Sequence, residues 1–486
     1  MPLVQALLAL ALAGPGRCVE VVAMADVHGH AGDLAALAPA VRLVRARGPS
    51  LLLDAGDGLQ GTVEASLSRG RVVVAAFAAM GVDAAALGNH DFDYGLAALR
   101  ERAAEAPYPL LAANLRDRST GRRPDWANLQ ESRLFRLPGG PVVGVFGIAA
   151  EDTPSLTMPR NVEGLTFSPE AAESIRAARD LRTRGAEVVI GLVHAGGHCR
   201  DLGDPDDVSS CDSGAALFRL ARALPPGLVD ALLGGHTHGF VNHRVNGIAL
   251  VQAGARAESA GWLTLCAGEP ARFHPPLRRG DSGKGGDSPA DALVAAAVAP
   301  DLEAAEAARR RPLGIRLPRP LTRDPAREST LGAAAAQAVR AALRTDFALV
   351  NGGGLRTDLP SGELTFGQLY EAFPFDDELA AVTVTGAQLL DILRALASGN
   401  KGFPQLAGLA FDGRGAWTCR GTPLDPARTY LLGTNEFLAT GGDGTRRVIE
   451  RLPAGAVRMR EDLRFRDVFA DWLRSAPLER PLSACP

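Results

Sequence analysis

Residues 86–95 read "ALGNHDFDYG", so that Asn89, His90, Asp91 and Asp93 crowd directly behind an apolar run. The same texture recurs wherever a comparable run ends. "VVAMADVHGH" closes on Asp26 and His28, "LLLDAGDG" on Asp54 and Asp57, "VIGLVHAGGH" on His194, and "ALLGGHTHG" on His236 and His238. In an open α/β sheet, residues just past the carboxyl ends of neighbouring strands converge on one crevice. Any one of these residues alone reads as a turn residue or a satisfied buried polar group. Several runs ending alike predict one shared site.

The runs themselves fit an α/β layered domain. Short β-type segments, "VEVVAM", "SLLLDA", "VDAAAL", "VVIGLV", "VDALLG" and "IALVQA", alternate with helical patterns between residue 19 and about residue 270. Leu34, Leu37, Val41 and Val44 share one helical face, and "SPEAAESIRAARDLRTRG" opens on a capping-type Ser168 and stops at Gly185. Past Pro275 the texture changes to a polar, Gly-rich and Pro-rich break, "PPLRRGDSGKGGDSP". The expected organisation is a first domain over 19–275, a linker with a helix over 276–329, and a second α/β domain over 330–486. At 486 residues the chain has ample length for two cores.

Composition excludes several classes. With 46% hydrophobic and 22% charged residues and a formal net charge of -3, the chain is neither disordered nor a polyanion binder, and no Arg cluster interleaves with aromatics. A nucleic-acid polymer is therefore not the expected partner. The first 18 residues, "MPLVQALLALALAGPGRC", carry a short apolar run and an Ala-Leu-Ala segment like those of a secretory signal, though without a basic start. Either the true start lies upstream or this is a buried segment; the expectation is a periplasmic or secreted protein without a transmembrane span. Cys199 and Cys211 bracket a polar, turn-rich loop in which a disulfide would contribute about 3 kcal/mol after export.

Carboxylate, imidazole and amide oxygen together suit divalent zinc, manganese, cobalt or iron, whereas calcium prefers oxygen alone. Seven such groups exceed what one tetrahedral ion takes. They suit two ions ~3.5–4 Å apart with one bridging carboxylate, the arrangement that serves in-line displacement at phosphorus.

"DVHGH", "DAGD", "GNHDFDYG", the histidine of "LVHAGG" and "GGHTH" follow in the order and spacing of the calcineurin-like metallophosphoesterases. "RESTLG", "NGGGLRTD", "LTFGQLYEAFPFDD" and "TNEFLATGGDG" resemble the carboxy-terminal domain of the 5'-nucleotidase family, so the resemblance covers nearly the whole chain. It implies an amino-terminal sandwich with flanking helices and a carboxy-terminal nucleoside-binding α/β domain. It further implies Asp26, His28, Asp57 and His238 at a first metal, Asp57 as the bridge, and Asn89, His194 and His236 at the second. His90 matches the catalytic histidine and Asp93 the carboxylate that orients it. Asp54 is left as a structural carboxylate for the loop amides, and Asp91 as a turn or cap residue.

In the second domain the resemblance assigns Phe375 and Phe437 as the faces that sandwich a base, Asp443 to the ribose, and Asn351 and Arg356 to base and phosphate. Arg323 and Arg327 are alternative candidates for a second phosphate contact. The function implied is metal-dependent hydrolysis of nucleotide phosphate esters, with cyclic nucleotides and nucleotide sugars as further substrates. The alternatives are a thiosulfate-carrier hydrolase of similar architecture and a non-catalytic nucleoside or metal binder.

Overall fold

The computed structural model describes residues 17–280, 289–375, 377–397, 402–411, 417–419 and 422–475. Residues 1–16 of the expected leader and 281–288 of the expected break lie outside the described residues. Two compact units emerge: residues up to Thr153 with Gly164–Leu302, and Pro154–Glu163 with the chain from Glu303 onward.

The first unit is two sheets face to face. One runs in the order Arg272–Phe273, Ser259–Cys266, Cys18–Met24, Ser50–Asp54, Ala84–Ala86, Leu110–Leu111, Leu129–Gln130. The other runs Phe240–Val245, Ile248–Ala253, Ala231–Gly234, Val188–Val193, Val142–Ile148, Ser132–Arg136. Period-two alternation sets the interior. Val19, Val21, Ala23, Leu51 and Leu53 of the first sheet meet Val143, Val145, Val188, Ile190, Leu192 and Leu233 of the second in one buried cluster. Each fully buried Val, Leu or Ile there contributes roughly 1.5–3 kcal/mol. The strands have apolar residues on their other faces too, and helices cover these. Ala177, Ala178 and Leu181 of helix Glu170–Thr183 and Leu217, Phe218 and Leu220 of helix Ala216–Ala223 close the outer side of the second sheet. Helix Leu34–Arg45, with Leu34, Leu37, Val41 and Val44 buried, packs on the first.

Within the first sheet Cys18–Met24, Ser50–Asp54 and Ala84–Ala86 run parallel. Within the second, Val188–Val193 and Ala231–Gly234 also run parallel. The polar run-ends singled out in the sequence therefore hang from two sheets, not from one open sheet.

Three local expectations need revision. The first strand starts at Cys18, one residue inside the expected leader, and Cys18 is disulfide-bonded to its antiparallel partner Cys266, 248 residues away. Closing so long a loop restricts the unfolded chain and contributes roughly 5 kcal/mol on the loop-entropy model. Ser168 does not cap helix Glu170–Thr183, which starts after Pro169 with no side-chain cap, although Gly185 ends it with φ 90°. Residues 312–317, expected within the linker, form a strand that pairs with Gly362–Thr365 and sends Ile315 and Leu317 into the second unit's core.

The second unit is a three-layer α/β domain. Its sheet runs Gln405–Ala407, Phe347–Val350, Thr429–Asn435, Glu378–Thr385, Val457–Arg464. Alternation in Phe347–Val350 sends Ala348 and Val350 against helices Thr330–Leu343 and Phe465–Ser475, and Phe347 and Leu349 against helix Gly386–Ala397. Ser329 caps the first of these helices, its hydroxyl accepting the Gly332 amide at 3.0 Å.

Candidate active site

Loops at the carboxyl ends of the five parallel strands carry seven buried or half-buried candidate ligands to one place in the first unit. They form two groups. In one, Asp26, His28 and His238 bring ligand atoms within 4.8 Å of one another; in the other, Asp57, His194 and His236 do the same. Asn89 joins the second group, its Oδ1 lying 3.0 Å from His236 Nδ1. Asp57 faces both: Oδ2 is 3.0 Å from His194 Nε2 and 3.9 Å from His28 Nε2.

The backbone is bent to achieve this. Asp26, His28, Asp57, His236 and His238 all have positive φ, between 47° and 78°. Left-handed backbone costs a residue with a Cβ roughly 1–2 kcal/mol, and such strain concentrates where a function over-determines it. A glycine is needed beside Asp57, because a Cβ on Gly88 would meet Asp57 Oδ1 at 2.1 Å.

The donor chemistry fits two divalent cations. His28 Nε2 and His238 Nε2 are 2.9 Å apart, two imidazole nitrogens aimed at one point. His194 Nε2 is buried 3.0 Å from Asp57 Oδ2, close enough for both atoms to share one ion. The remaining ring nitrogens are fixed from behind: His28 Nδ1 lies 3.1 Å from Gln60 O and His194 Nδ1 2.9 Å from Ala55 O. Such backing sets which nitrogen faces the ion. Burial opposes charge throughout the cluster. It raises Asp26 to about 7, with Asp57 adding to the rise, and lowers His236 to about 4, while at His194 the neighbouring Asp57 charge outweighs burial and lifts it to about 10. Divalent cations satisfy both signs at once.

His90 is placed differently. Its amide donates to Asp57 Oδ1 at 2.8 Å, its Nδ1 lies 2.7 Å from Asp93 Oδ2, and its ring centroid is 5.5 Å from that of His28. It therefore stands beside the ion ligands with one ring nitrogen committed to a carboxylate. Asp54 and Asp91 reverse the expected emphasis. Asp54 accepts a single amide, Gly56, and its Oδ2 is buried without a partner. Asp91 accepts four, from Asp57, Gly58, Leu59 and Gly88 at 2.8–3.0 Å, and so holds the loop that carries Asp57.

In the second unit Asn351 follows strand Phe347–Val350, and Asn435 ends the adjacent parallel strand. Asn435 Nδ2 donates to Asn351 Oδ1 at 3.1 Å and to Asp377 Oδ2 at 2.6 Å. This bond pair ties together the segments that carry Phe375 and Phe437. Both aromatic rings are only half-buried, unlike Phe347, Phe373 and Phe469 of the core. Phe437 lies flat over Gly442, where a Cβ would meet its ring at 2.5 Å, and Asp443 follows with φ 49°. Arg356 is exposed. Arg323 donates to the Arg356 carbonyl at 2.9 Å, whereas Arg327 pairs with Asp324. Sequence reasoning passed over Asn435 and Asp377; a buried amide and carboxylate at strand ends were the available signal.

The fold and this ligand set define the first unit as a calcineurin-like metallophosphoesterase: residues 19–240 match the family model described as calcineurin-like phosphoesterase. Residues 314–450 match the model for the 5'-nucleotidase carboxy-terminal domain. The chain belongs to the 5'-nucleotidase family of calcineurin-like metallophosphoesterases. It is 27% identical over 445 residues to Protein UshA of Escherichia coli strain K12, covering 82% of this chain and 78% of that one. It is 26% identical over 450 residues to a 5'-nucleotidase of Vibrio cholerae, covering 82% and 79%. A 5'-nucleotidase precursor from Thermus thermophilus shares the fold, with a TM-score of 0.76 at 24% identity over 94% of this chain and 96% of that one.

Proposed function

We propose that the protein hydrolyses phosphate esters of nucleotides at a dinuclear centre in its first unit and recognises the nucleoside in its second. The observation that carries this is Asp57, whose one carboxylate oxygen faces both ligand groups. When bound, two divalent cations polarise the phosphoryl group and acidify the attacking water.

The chain's own residues do the rest. Asp26, His28 and His238 would hold one ion, and Asn89, His194 and His236 the other, with Asp57 shared. Asp93 accepts from His90 Nδ1, which assigns to Nε2 the hydrogen bond to the phosphoryl oxygens as negative charge builds on them. Phe375 and Phe437 stack on the base, Asn351 and Asp443 contact base and ribose, and Arg356 meets phosphate. The half-exposed Phe pair favours a nucleotide over the thiosulfate-carrier alternative, which has no flat base to stack. Export to the periplasm or beyond is supported by two disulfides, since such bonds persist in oxidising compartments. Among the described residues no helix is long and apolar enough to cross a membrane.

The test is phosphate release from a panel of nucleoside monophosphates, cyclic nucleotides and nucleotide sugars, after chelation and re-addition of manganese, zinc or cobalt. Turnover that depends on added metal and collapses in His90→Ala supports the reading. No turnover with any metal overturns it.

A further inference from the structure

The structure joins Cys199 and Cys211 in a disulfide. One neighbour of that bridge is unexplained. His243, in strand Phe240–Val245, is 1% exposed, and its Nδ1 lies 3.8 Å from Cys211 Sγ. Its Nε2 is buried with no hydrogen-bond partner. Period two puts it on the same face as Val241 and Val245, which pack with Cys199 and Phe218 in an apolar cluster. An orphaned ring nitrogen in such surroundings costs about 1–3 kcal/mol, and a buried polar group left so needs a reason.

The other ring nitrogen, Nδ1, takes the Asn242 amide at 3.3 Å, and the ring as a whole stands beside two sulfurs. Sγ of Cys199, Sγ of Cys211 and a ring nitrogen of His243 all lie within 4.8 Å of one another. Two thiolates and an imidazole form a soft donor set that zinc accepts in tetrahedral coordination, with one position left over. Asp207, Asp201 and Asp204 of the intervening loop act electrostatically on His243, so the surroundings of the site favour a cation. Burial lowers the histidine below its ordinary value against the pull of these carboxylates. Cys211 is only half-buried, which gives ions and reductants a way in.

We propose that Cys199, Cys211 and His243 form a further metal site, separate from the dinuclear centre, that takes zinc or another thiophilic divalent cation once the disulfide is opened. Disulfide and ion then exclude one another. A dithiol opens the bridge by exchange: its two thiols become a disulfide and the two cysteines become thiols, each of which loses one proton to solvent as the cation binds. In either state the ends of the 199–211 loop stay joined. The first residue of that loop is anchored beside the strand that follows His238, since the Cys199 amide donates to Phe240 O at 2.9 Å.

The test is cobalt titration of the full-length protein, oxidised or reduced with a phosphine that is then removed. The reduced protein should bind one more equivalent than the oxidised one and gain thiolate-to-cobalt charge-transfer absorption, which the oxygen and nitrogen ligands of the dinuclear centre cannot produce. Cys211→Ser should abolish that band. His243→Ala should weaken the extra site by more than the roughly 10–100-fold that losing a supporting contact costs. Should either variant fail to fold, zinc must protect Cys199 and Cys211 of the reduced wild type from alkylation, read by mass spectrometry. Equal stoichiometry in both redox states, a band that survives Cys211→Ser, or unprotected cysteines each overturn the proposal.

Discussion

Asp91 Oδ2 accepts the main-chain N–H of Asp57 at 2.9 Å, so a carboxylate outside the candidate ligand set fixes the backbone of the residue that faces both ligand groups. The same oxygen takes the Gly88 amide at 2.8 Å, while Oδ1 takes Gly58 and Leu59 at 3.0 Å each. Substituting Asp91→Asn turns one oxygen into a donor that faces N–H groups. Loss of two charge-assisted bonds should cost about 3 kcal/mol and lower metal occupancy as the loop relaxes. Asp54→Asn should cost under about 1 kcal/mol, because Asp54 Oδ2 has no partner to lose and its burial pushes that carboxyl well above the ordinary carboxylate range. Urea unfolding and bound-metal analysis of the two variants side by side check the contrast; equal costs would contradict it.

His90 and Asp93 should separate chemistry from metal binding. His90→Ala removes a donor aimed at developing charge and should lower kcat roughly 10²–10³-fold while bound metal stays at the wild-type level. Asp93→Asn leaves the ring in place but replaces the charged acceptor 2.7 Å from Nδ1 with a neutral amide, so kcat should fall with KM nearly unchanged. A His90→Ala protein that loses its metals instead would make His90 a ligand.

The nucleoside pocket gives a KM effect. A base stacked on an aromatic ring gains roughly 1–3 kcal/mol, so Phe375→Ala or Phe437→Ala should raise KM for a nucleoside monophosphate about 5- to 150-fold. Hydrolysis of an alkyl phosphate, which has no base, should change far less. Similar losses on both substrates would place these rings in the core.

The sequence shows part of this plainly. Asp26, His28, Asp57, Asn89, His194, His236 and His238 stand out because each follows a continuous apolar run, and a buried strand that ends in ligand-type residues has few other uses. The two-sheet arrangement is not visible at that level, since a strand buried on both faces reads alike in a sandwich and in an open sheet. The Cys18–Cys266 bond escapes because 248 residues separate its ends and only strand register brings them opposite. Strand Pro312–Leu317 is masked by its proline and arginine, although Ile315 and Leu317 keep the period of two. The work of Asp91 could not be read from composition, because its four amide partners come from two separate loops.

Glu436 should make the stability of the second unit depend on pH. One oxygen lies 2.5 Å from Arg160 Nη1 and the other is buried without a partner. Burial raises its pKa from 4.5 to about 7; Arg160 opposes the rise, and Glu378 and Asp377 add to it. The folded protein thus keeps a proton that the unfolded chain has already released between those two values. Stability from this group is therefore full below the unfolded value and declines as pH rises through the folded one. Glu436→Gln carries a permanent stand-in for the protonated form, so relative to wild type it should gain stability steadily from about pH 5 to about pH 8. Urea unfolding of both proteins across that range, followed by a probe in the second unit, reads the difference directly; parallel curves would mean that Arg160 keeps Glu436 ionised throughout.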